Sequence, residues 1–180
     1  MHFANRNAGL LILGALLTQQ SYAIDVNVGD YTTLPSGTNL GVFYYQHSEM
    51  DGYYQKGDKT HADSRSDIGI ARFIHYTDIA GLRATPQVVI PFGSVRNTQI
   101  GDAHLNNASG FADPIIASAF WLINQPEQGS SGRYLAFTPF IYLPLGQYDR
   151  NDAVNLGENR FKYDLQLAWV QPLYGKFAFE

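Results

Sequence analysis

Apolar and polar residues alternate along this chain with a period of two, which is typical of β-strands that have one apolar and one polar face. The clearest run is 161–170, whose odd positions are aromatic or aliphatic and whose even positions are mostly polar. Further strands are predicted over 82–90 and 134–143 and, from weaker alternation, over 38–47, 67–76, 114–124 and 173–179. The pattern therefore predicts an all-β chain with seven strands.

The segments between the predicted strands alternate between long and short. Polar segments rich in Gly, Asn and Asp cover 48–66, 91–113 and 144–160, whereas 77–81 and 171–172 are short and 125–133 is intermediate. Outer-membrane β-barrels have this asymmetry, with short periplasmic turns and long outer loops, and their strands need about ten residues to cross the bilayer. We therefore expect an antiparallel transmembrane β-barrel with the three long segments outside.

Aromatic residues lie near the ends of several predicted strands, where outer-membrane barrels carry interfacial aromatic girdles. We expect such a girdle from Tyr76, Trp121, Tyr142, Tyr163, Trp169 and Tyr174. Two prolines, Pro86 and Pro139, are unfavourable inside a strand with two neighbours, so these two strand interiors are predicted to be weak. In 67–76, three isoleucines and Tyr76 share a face with Arg72, and the pattern does not decide whether this face meets lipid or lumen.

The first 23 residues have the features of a secretory signal peptide. Arg6 precedes an apolar run over 8–17, which is too short to span a bilayer as a helix, and Ser21 and Ala23 supply small residues before the cleavage point. We predict cleavage after Ala23, which leaves 24–180 as the barrel domain.

Composition agrees with an exported β-protein. Charged residues make up 16% of the chain, against about 25% in ordinary soluble domains, while 12 Tyr, 11 Phe and 17 Gly are generous numbers. The absence of cysteine excludes disulfides, thiolate metal sites and a cysteine nucleophile. A net charge of −4 without a basic cluster argues against nucleic-acid binding.

Seven strands do not form a closed bacterial barrel, because single-chain bacterial barrels have an even number of strands. The last predicted strand stops at Glu180 rather than at a terminal aromatic residue. We therefore expect an incomplete, N-terminal part of a larger barrel; the alternative is a complete eight-stranded barrel with one unrecognised strand.

Inward-facing side chains are the candidate functional residues, because the lumen of such a barrel determines what passes. Alternation places nine polar or aromatic residues on the predicted inner face: Arg83, Thr85, Gln87, Tyr134, Thr138, Tyr142, Lys162, Asp164 and Gln166. With Phe140, the two tyrosines of 134–143 offer a stacking surface for aromatic solutes. The alternative is that these side chains only fill and hydrate the lumen.

Catalytic and metal-binding patterns are weak. His61 and Asp63 could bind a metal only with a distant partner, and the acidic residues of 144–160 lack the spacing of an EF-hand. His47 and Ser48, together with His61 and Asp63, supply the residue types of a hydrolase but no diagnostic spacing. We expect no enzyme, no cofactor and no metal.

Three segments carry a resemblance to a known family: 29–45 (GDYTTLPSGTNLGVFYY), 109–114 (SGFADP, with a Gly-x-x-Asp-Pro pattern) and 142–169, with Leu-Pro-x-Gly-x-Tyr-Asp followed by Asn-Leu-Gly-x-Asn-Arg. They resemble the outer-membrane transporter family of the meta-pathway of phenol degradation. This resemblance implies a barrel, usually longer than this chain, that passes hydrophobic or aromatic molecules. In the third segment Arg160 is expected either to pair with Asp149 or Asp152 or to remain solvated.

Three functions follow from these patterns. The first is an outer-membrane channel, surrounded by lipid, that admits small hydrophobic or aromatic solutes by passive diffusion. The second is a structural or adhesive surface barrel whose loops carry the function. The third is a soluble periplasmic β-sandwich.

Overall fold

A computed structural model describes residues 31–55, 58–127, 132–174 and 178–179. The predicted signal peptide, residues 1–23, lies outside them. No helix in this part of the chain is long and apolar enough to cross a membrane.

Every regular element of the described residues is a β-strand. The twelve strands are β1 (Asn39–Met50), β2 (Tyr53–Gln55), β3 (Asp58–Thr60), β4 (Ala62–His75), β5 (Thr77–Ile79), β6 (Leu82–Ile100), β7 (Ala103–His104), β8 (Ala108–Phe111), β9 (Ile115–Gln125), β10 (Arg133–Tyr142), β11 (Lys162–Pro172) and β12 (Ala178–Phe179).

Seven of these strands form the main antiparallel sheet, in the order β1-β4-β6-β9-β10-β11-β12. Three short strands, β5, β7 and β8, pair with β6, and β2 and β3 form a separate hairpin. Among the described residues, the edge strands β1 and β12 have one neighbour each, so the sheet is not closed. The architecture is that of a partial barrel, and the seven-stranded antiparallel path agrees with the prediction from periodicity.

Side chains on the two faces of the sheet differ in chemistry, as the period-two pattern predicts. On β10 and β11 the outward side chains are apolar, with Leu165, Leu167 and Trp169 at least half exposed. The inward side chains of the same strands are mixed, and Thr138 is fully buried. An apolar outer face and a mixed inner face are the reverse of a soluble β-sandwich and match a barrel in lipid.

Connections at one end of the sheet, the short-turn end, are tight. β5 and β6 are joined by Ala80 and Gly81, whose φ angles of 51° and 80° match the two-residue type I′ turn of a β-hairpin. Arg83 donates through Nε to Asp78 Oδ1 at 2.9 Å beside this turn. The opposite end, the long-loop end, carries 51–55, 58–61, 101–114 and 143–161.

Two of the predicted loops are partly strand. β6 continues from Ile90 to Ile100 and pairs there with β4, β7 and β8, so 91–113 is not a free loop. β4 begins at Ala62 rather than at residue 67, because its first residues pair with the end of β6. Alternation fades in these extensions because polar residues occupy both faces of the strands, so the sequence carries no period-two signal there.

The prolines have unequal effects. Pro139 lies in a gap of the β9–β10 pairing, which passes from Phe137–Phe120 directly to Phe140–Ala117. Pro86, in contrast, pairs with Ser118 in an uninterrupted register. Of the two prolines that were predicted to weaken their strands, only Pro139 therefore interrupts the pairing of the sheet.

The predicted aromatic girdle is half wrong. Tyr163 and Trp169 are exposed on the outer face of β11 and Tyr174 is exposed in the segment after it, whereas Tyr76 and Trp121 are buried. Tyr142 packs against a buried cluster on the inner face. The reason is that side chains alternate between the two faces of a strand. Tyr76, Trp121 and Tyr142 each occupy positions whose side chains point inward, whatever their distance from the strand end.

Candidate functional site

A cavity of about 440 Å³ lies on the inner face of the sheet. All six long strands contribute to its wall, which is mostly apolar and aromatic: Tyr44, Ile70, Ile74, Tyr76, Val89, Ile115 and Phe140. A few polar side chains interrupt this lining, namely Arg72, Thr85, Gln87, Thr138 and Gln166. An apolar concave site with a few placed polar groups is the usual form of a small-molecule binding site.

The chain segment before β1 lies across the inner face and closes one side of the cavity. The Tyr31 hydroxyl donates to Gln166 Oε1 at 2.9 Å and lies 3.2 Å from Thr138 Oγ1. The Trp121 indole Nε1 donates to the Tyr31 carbonyl at 3.0 Å, and the two rings meet edge to face. Near the short-turn end, Arg83 donates to the Leu34 carbonyl. This segment therefore narrows the lumen.

Among the described residues that line the cavity, Arg72 is the charged one. It is half-buried on the inner face of β4, between Ile70 and Ile74. Its Nε donates to Gln87 Oε1 at 2.7 Å. The structure thus assigns the apolar face of 67–76 to the lumen side, which the sequence pattern left undecided.

The nine predicted inner-face residues fall into three groups. Thr85, Gln87, Thr138 and Gln166 line the cavity. Tyr134 is buried in a cluster with Tyr31, Trp121, Ala136 and Val170 below it. Arg83 lies at the short-turn end, while Tyr142, Lys162 and Asp164 lie towards the long-loop end, so these four are outside the cavity.

The residues at the long-loop end make contacts of their own. Lys162 Nζ lies 4.6 Å from the centre of the Tyr142 ring and also donates to Glu158. Arg160 donates to Glu158 Oε2 at 2.7 Å and not to Asp149 or Asp152, so the expected pairing with these two residues is wrong, while the side chain stays 71% exposed to solvent as the other alternative expected. These two cations lower the pKa of Glu158, with the hydrogen bond from Lys162 as the larger cause.

Sequence reasoning missed Tyr31, assigned Tyr76 to the outer girdle, and noted Arg72 without assigning it a role. The signal for Arg72 was present, because a single cation within an apolar run of alternate residues is unusual on a lipid-facing surface. No local pattern marks Tyr31, since its position depends on partners more than 100 residues away.

A second feature, at the long-loop end, brings together the motif residues of two separate segments. The Asp113 carboxylate is buried and accepts hydrogen bonds from the backbone N–H of Gly146 at 2.9 Å and of Glu158 at 2.8 Å. A Cβ on Gly146 would meet the carbonyl carbon of Ala112 at 2.6 Å, which explains the need for glycine. We call this arrangement the Asp113 clamp.

The same region gives little support for catalysis or metal binding. His47 and Ser48 lie on opposite faces of β1, and His47 Nδ1 is 2.7 Å from Asp67 Oδ1 on the outer face. His61 Nε2 is 3.1 Å from Asp63 Oδ2, and no hydroxyl of the described residues forms a hydrogen bond with either side chain. In the described ranges no group of three or more His, Asp or Glu side chains is arranged to hold a metal ion.

Comparison with known proteins identifies the family of this chain. Residues 51–180 match the family described as the MetA-pathway of phenol degradation. The chain belongs to this family. The match includes the Asp113 clamp, so the family-like motifs of the sequence are residues that meet in space.

A solved structure supports the fold of this family member. An outer-membrane channel from Pseudomonas putida F1 is 36% identical and superposes with a TM-score of 0.74. The alignment covers 86% of this chain and 57% of that channel, so the chain spans little more than half of the channel's length. No curated protein matches the chain.

Proposed function

We propose that this chain forms part of an outer-membrane channel through which small hydrophobic, aromatic compounds diffuse passively, after export and removal of residues 1–23. The observation that carries the proposal is the cavity of about 440 Å³ on the inner face, with its mostly apolar and aromatic wall. A lumen built for hydrated ions would instead be lined by water-binding and charged groups.

The chemistry of the two faces supports the same function. The outward side chains of β11, Leu165, Leu167 and Trp169, suit contact with lipid. The inner face offers aromatic rings for stacking and isolated hydroxyl and amide groups for the polar end of a solute such as phenol. Diffusion down a concentration gradient needs no cofactor. It requires only that the solute fit into the cavity and dissociate from it again.

The related channel from Pseudomonas putida F1 supports localisation in the outer membrane and a channel activity. Family membership adds phenol degradation as the metabolic context. Both inferences concern the activity of the whole protein and belong to this proposal.

The test is uptake of labelled phenol by cells that lack or produce the protein, with a substitution that fills the cavity. Val89 faces the cavity and is 7% exposed, whereas its neighbour Val88 faces outward and is 40% exposed. We expect Val89→Trp to reduce the protein-dependent uptake at least about fivefold, because the indole occupies the solute's space and the lumen wall is close-packed.

Val88→Trp is the matched control, since it places the same ring on the lipid side of the same strand. It should leave uptake within about twofold of wild type, given that lipid-facing sites tolerate large apolar side chains. Equal loss in both variants, at equal amounts of folded protein in the outer membrane, would contradict an inner-face path.

A structural or adhesive surface barrel is the second candidate, and the Asp113 clamp favours it because it orders the outer loops. This function predicts that deletion of the gene leaves phenol uptake unchanged while surface adhesion falls. The uptake experiment therefore separates the two candidates.

A further inference from the structure

Arg72 differs from most arginines of this structure in having no acidic partner. In the part of the chain that the structure describes, no carboxylate oxygen lies within 4 Å of its guanidinium nitrogens. Four others are ion-paired within that distance: Arg65, Arg83, Arg96 and Arg160. Within the described residues, the positive charge of Arg72 is therefore not neutralised by a neighbouring side chain.

The hydrogen bonds of Arg72 leave much of its donor capacity unused. Nε donates to the neutral Gln87 side chain at 2.7 Å, and the two Nη atoms have no acceptor among the described residues. A guanidinium carries five N–H donors in a planar fork that matches a carboxylate. The bond to Gln87 fixes the plane of this fork at the cavity wall.

The surroundings of Arg72 limit what anion can bind. Ile70 and Ile74 flank it on β4, and Tyr44, Tyr76 and Phe140 are among the aromatic residues of the same wall. A lone cation beside aromatic and aliphatic groups suits an organic monoanion with a ring. A multiply charged, strongly hydrated anion would lose its water in an apolar lining without enough counter-charge.

We propose that the cavity selects aromatic carboxylates, with the carboxylate on the Arg72 guanidinium and the ring against the aromatic wall. This inference rests on the proposed channel function and names its solute class. It makes Arg72 the specificity-determining residue of the lumen and Gln87 the residue that positions it.

The experiment is ligand-observed NMR titration of the purified full chain, with benzoate and benzyl alcohol as probes. The two probes share the ring and differ in the anionic group. Wild type is expected to bind benzoate the more tightly. Arg72→Gln should weaken benzoate binding about tenfold, or about 1.4 kcal/mol, with benzyl alcohol changed less than twofold. Arg72→Lys keeps the charge and should retain part of the preference for benzoate.

Arg150→Gln is the control for net charge, because Arg150 is exposed in the 143–161 loop and its loss changes the total charge equally. The inference is overturned if wild type binds both probes equally or if Arg72→Gln and Arg150→Gln weaken benzoate to the same extent. If Arg72→Gln does not fold, the relative affinities of the wild-type protein for benzoate and benzyl alcohol still test the inference.

Failure of this inference is distinct from failure of the proposed function. Benzyl alcohol bound as tightly as benzoate, together with phenol uptake that depends on the protein, would remove the carboxylate preference and leave the channel. Absence of protein-dependent phenol uptake together with no binding of either probe would overturn both.

Discussion

Glu158 shows how a single exposed carboxyl group stabilises an outer loop. It accepts hydrogen bonds from Arg160, at 2.7 Å, and from Lys162, so two cations of different segments meet on one side chain. Lys162 belongs to β11, whereas Glu158 and Arg160 belong to the preceding loop. The ion pairs therefore tie the end of the loop to the first residue of the strand.

The lowered pKa of Glu158 predicts a pH dependence of this tie. Its folded pKa lies below its ordinary value of 4.5, so the contribution to stability is complete above that value and is lost as the pH falls through the folded pKa. We expect the difference in Tm between wild type and Glu158→Gln to be constant near neutral pH and to vanish in acid. Thermal unfolding at a series of pH values checks this.

Asp102→Asn is the control, because Asp102 is exposed in the turn between β6 and β7 and forms no ion pair in the described residues. Its Tm difference from wild type should be small and should not follow the same acid profile. A Glu158→Gln difference that stays the same down to pH 3 would show that the carboxylate contributes nothing through its charge.

How far the sequence predicted the site can be judged from individual side chains. Thr85, Gln87, Thr138 and Gln166 line the cavity as alternation suggested, because side-chain direction in a strand repeats every two residues. Their part in solute passage stays a prediction. Tyr76 and Trp121 were wrongly assigned to the outer girdle, because the assignment used their position near a strand end and did not consider which face of the strand their side chains occupy.

The long-loop end is where whole elements, rather than single residues, are held together. The Asp113 clamp joins the segment after β8 to both ends of the 143–161 loop. Asn106, in the segment before β8, exchanges two hydrogen bonds with the backbone of Val154 at 2.8 and 3.0 Å. Loops that are free in the sequence pattern are thus cross-linked by side-chain-to-backbone hydrogen bonds.

These cross-links were beyond prediction because hydrogen bonds between positions 30 or more residues apart leave no local pattern. The Gly-x-x-Asp-Pro and Leu-Pro-x-Gly patterns marked the residues, but only the fold shows that Asp113 accepts from Gly146. In contrast, the turn within the loop was predictable, since Asp149 Oδ1 accepts from the Asn151 N–H at 2.8 Å as expected of an Asx-turn.

Removal of the clamp should open the loop. Asp113 is 7% exposed, and its loss removes the charged acceptor of two part-buried backbone N–H groups, at a total cost of about 1.5–3 kcal/mol. We expect Asp113→Ala to raise the rate of tryptic cleavage after Arg150 at least about tenfold, because cleavage follows local opening. Asp113→Asn keeps one acceptor and should give an intermediate rate.

Asp152→Ala is the matched control within the same loop, where Asp152 is exposed and no described residue donates to its carboxylate. Its cleavage rate should stay close to wild type. Similar rates for Asp113→Ala and Asp152→Ala would mean that the loop is held by other contacts.

Across the molecule, the apolar side of the sheet must meet lipid if the chain is part of a barrel. Leu167 lies at the middle of β11 and is 70% exposed, and Tyr163 lies on the same face nearer the long-loop end and is 74% exposed. Because the two side chains are similarly exposed but lie at different distances along the strand, substitutions at these two positions can test where the strand lies relative to the bilayer.

We expect Leu167→Lys to lower the free energy of unfolding in lipid vesicles by about 2–4 kcal/mol, because a charge at the bilayer midplane is costly. Tyr163→Lys should cost about 0–1 kcal/mol, since the interface accommodates charge. Denaturant unfolding of the reconstituted protein measures both. Equal costs at the two depths would contradict this placement.

The length of β6 has a consequence for where a solute first meets the protein. At about 3.4 Å per residue its 19 residues extend about 65 Å, and a tilt of about 40° leaves roughly 50 Å along the membrane normal, twice the apolar band of about 25 Å. In the proposed channel, a large part of this strand would therefore lie outside the bilayer, together with the cross-linked loops at the long-loop end. A solute arriving from the medium would therefore meet this wall before it reaches membrane depth, so the entrance and the point of crossing would be separate places.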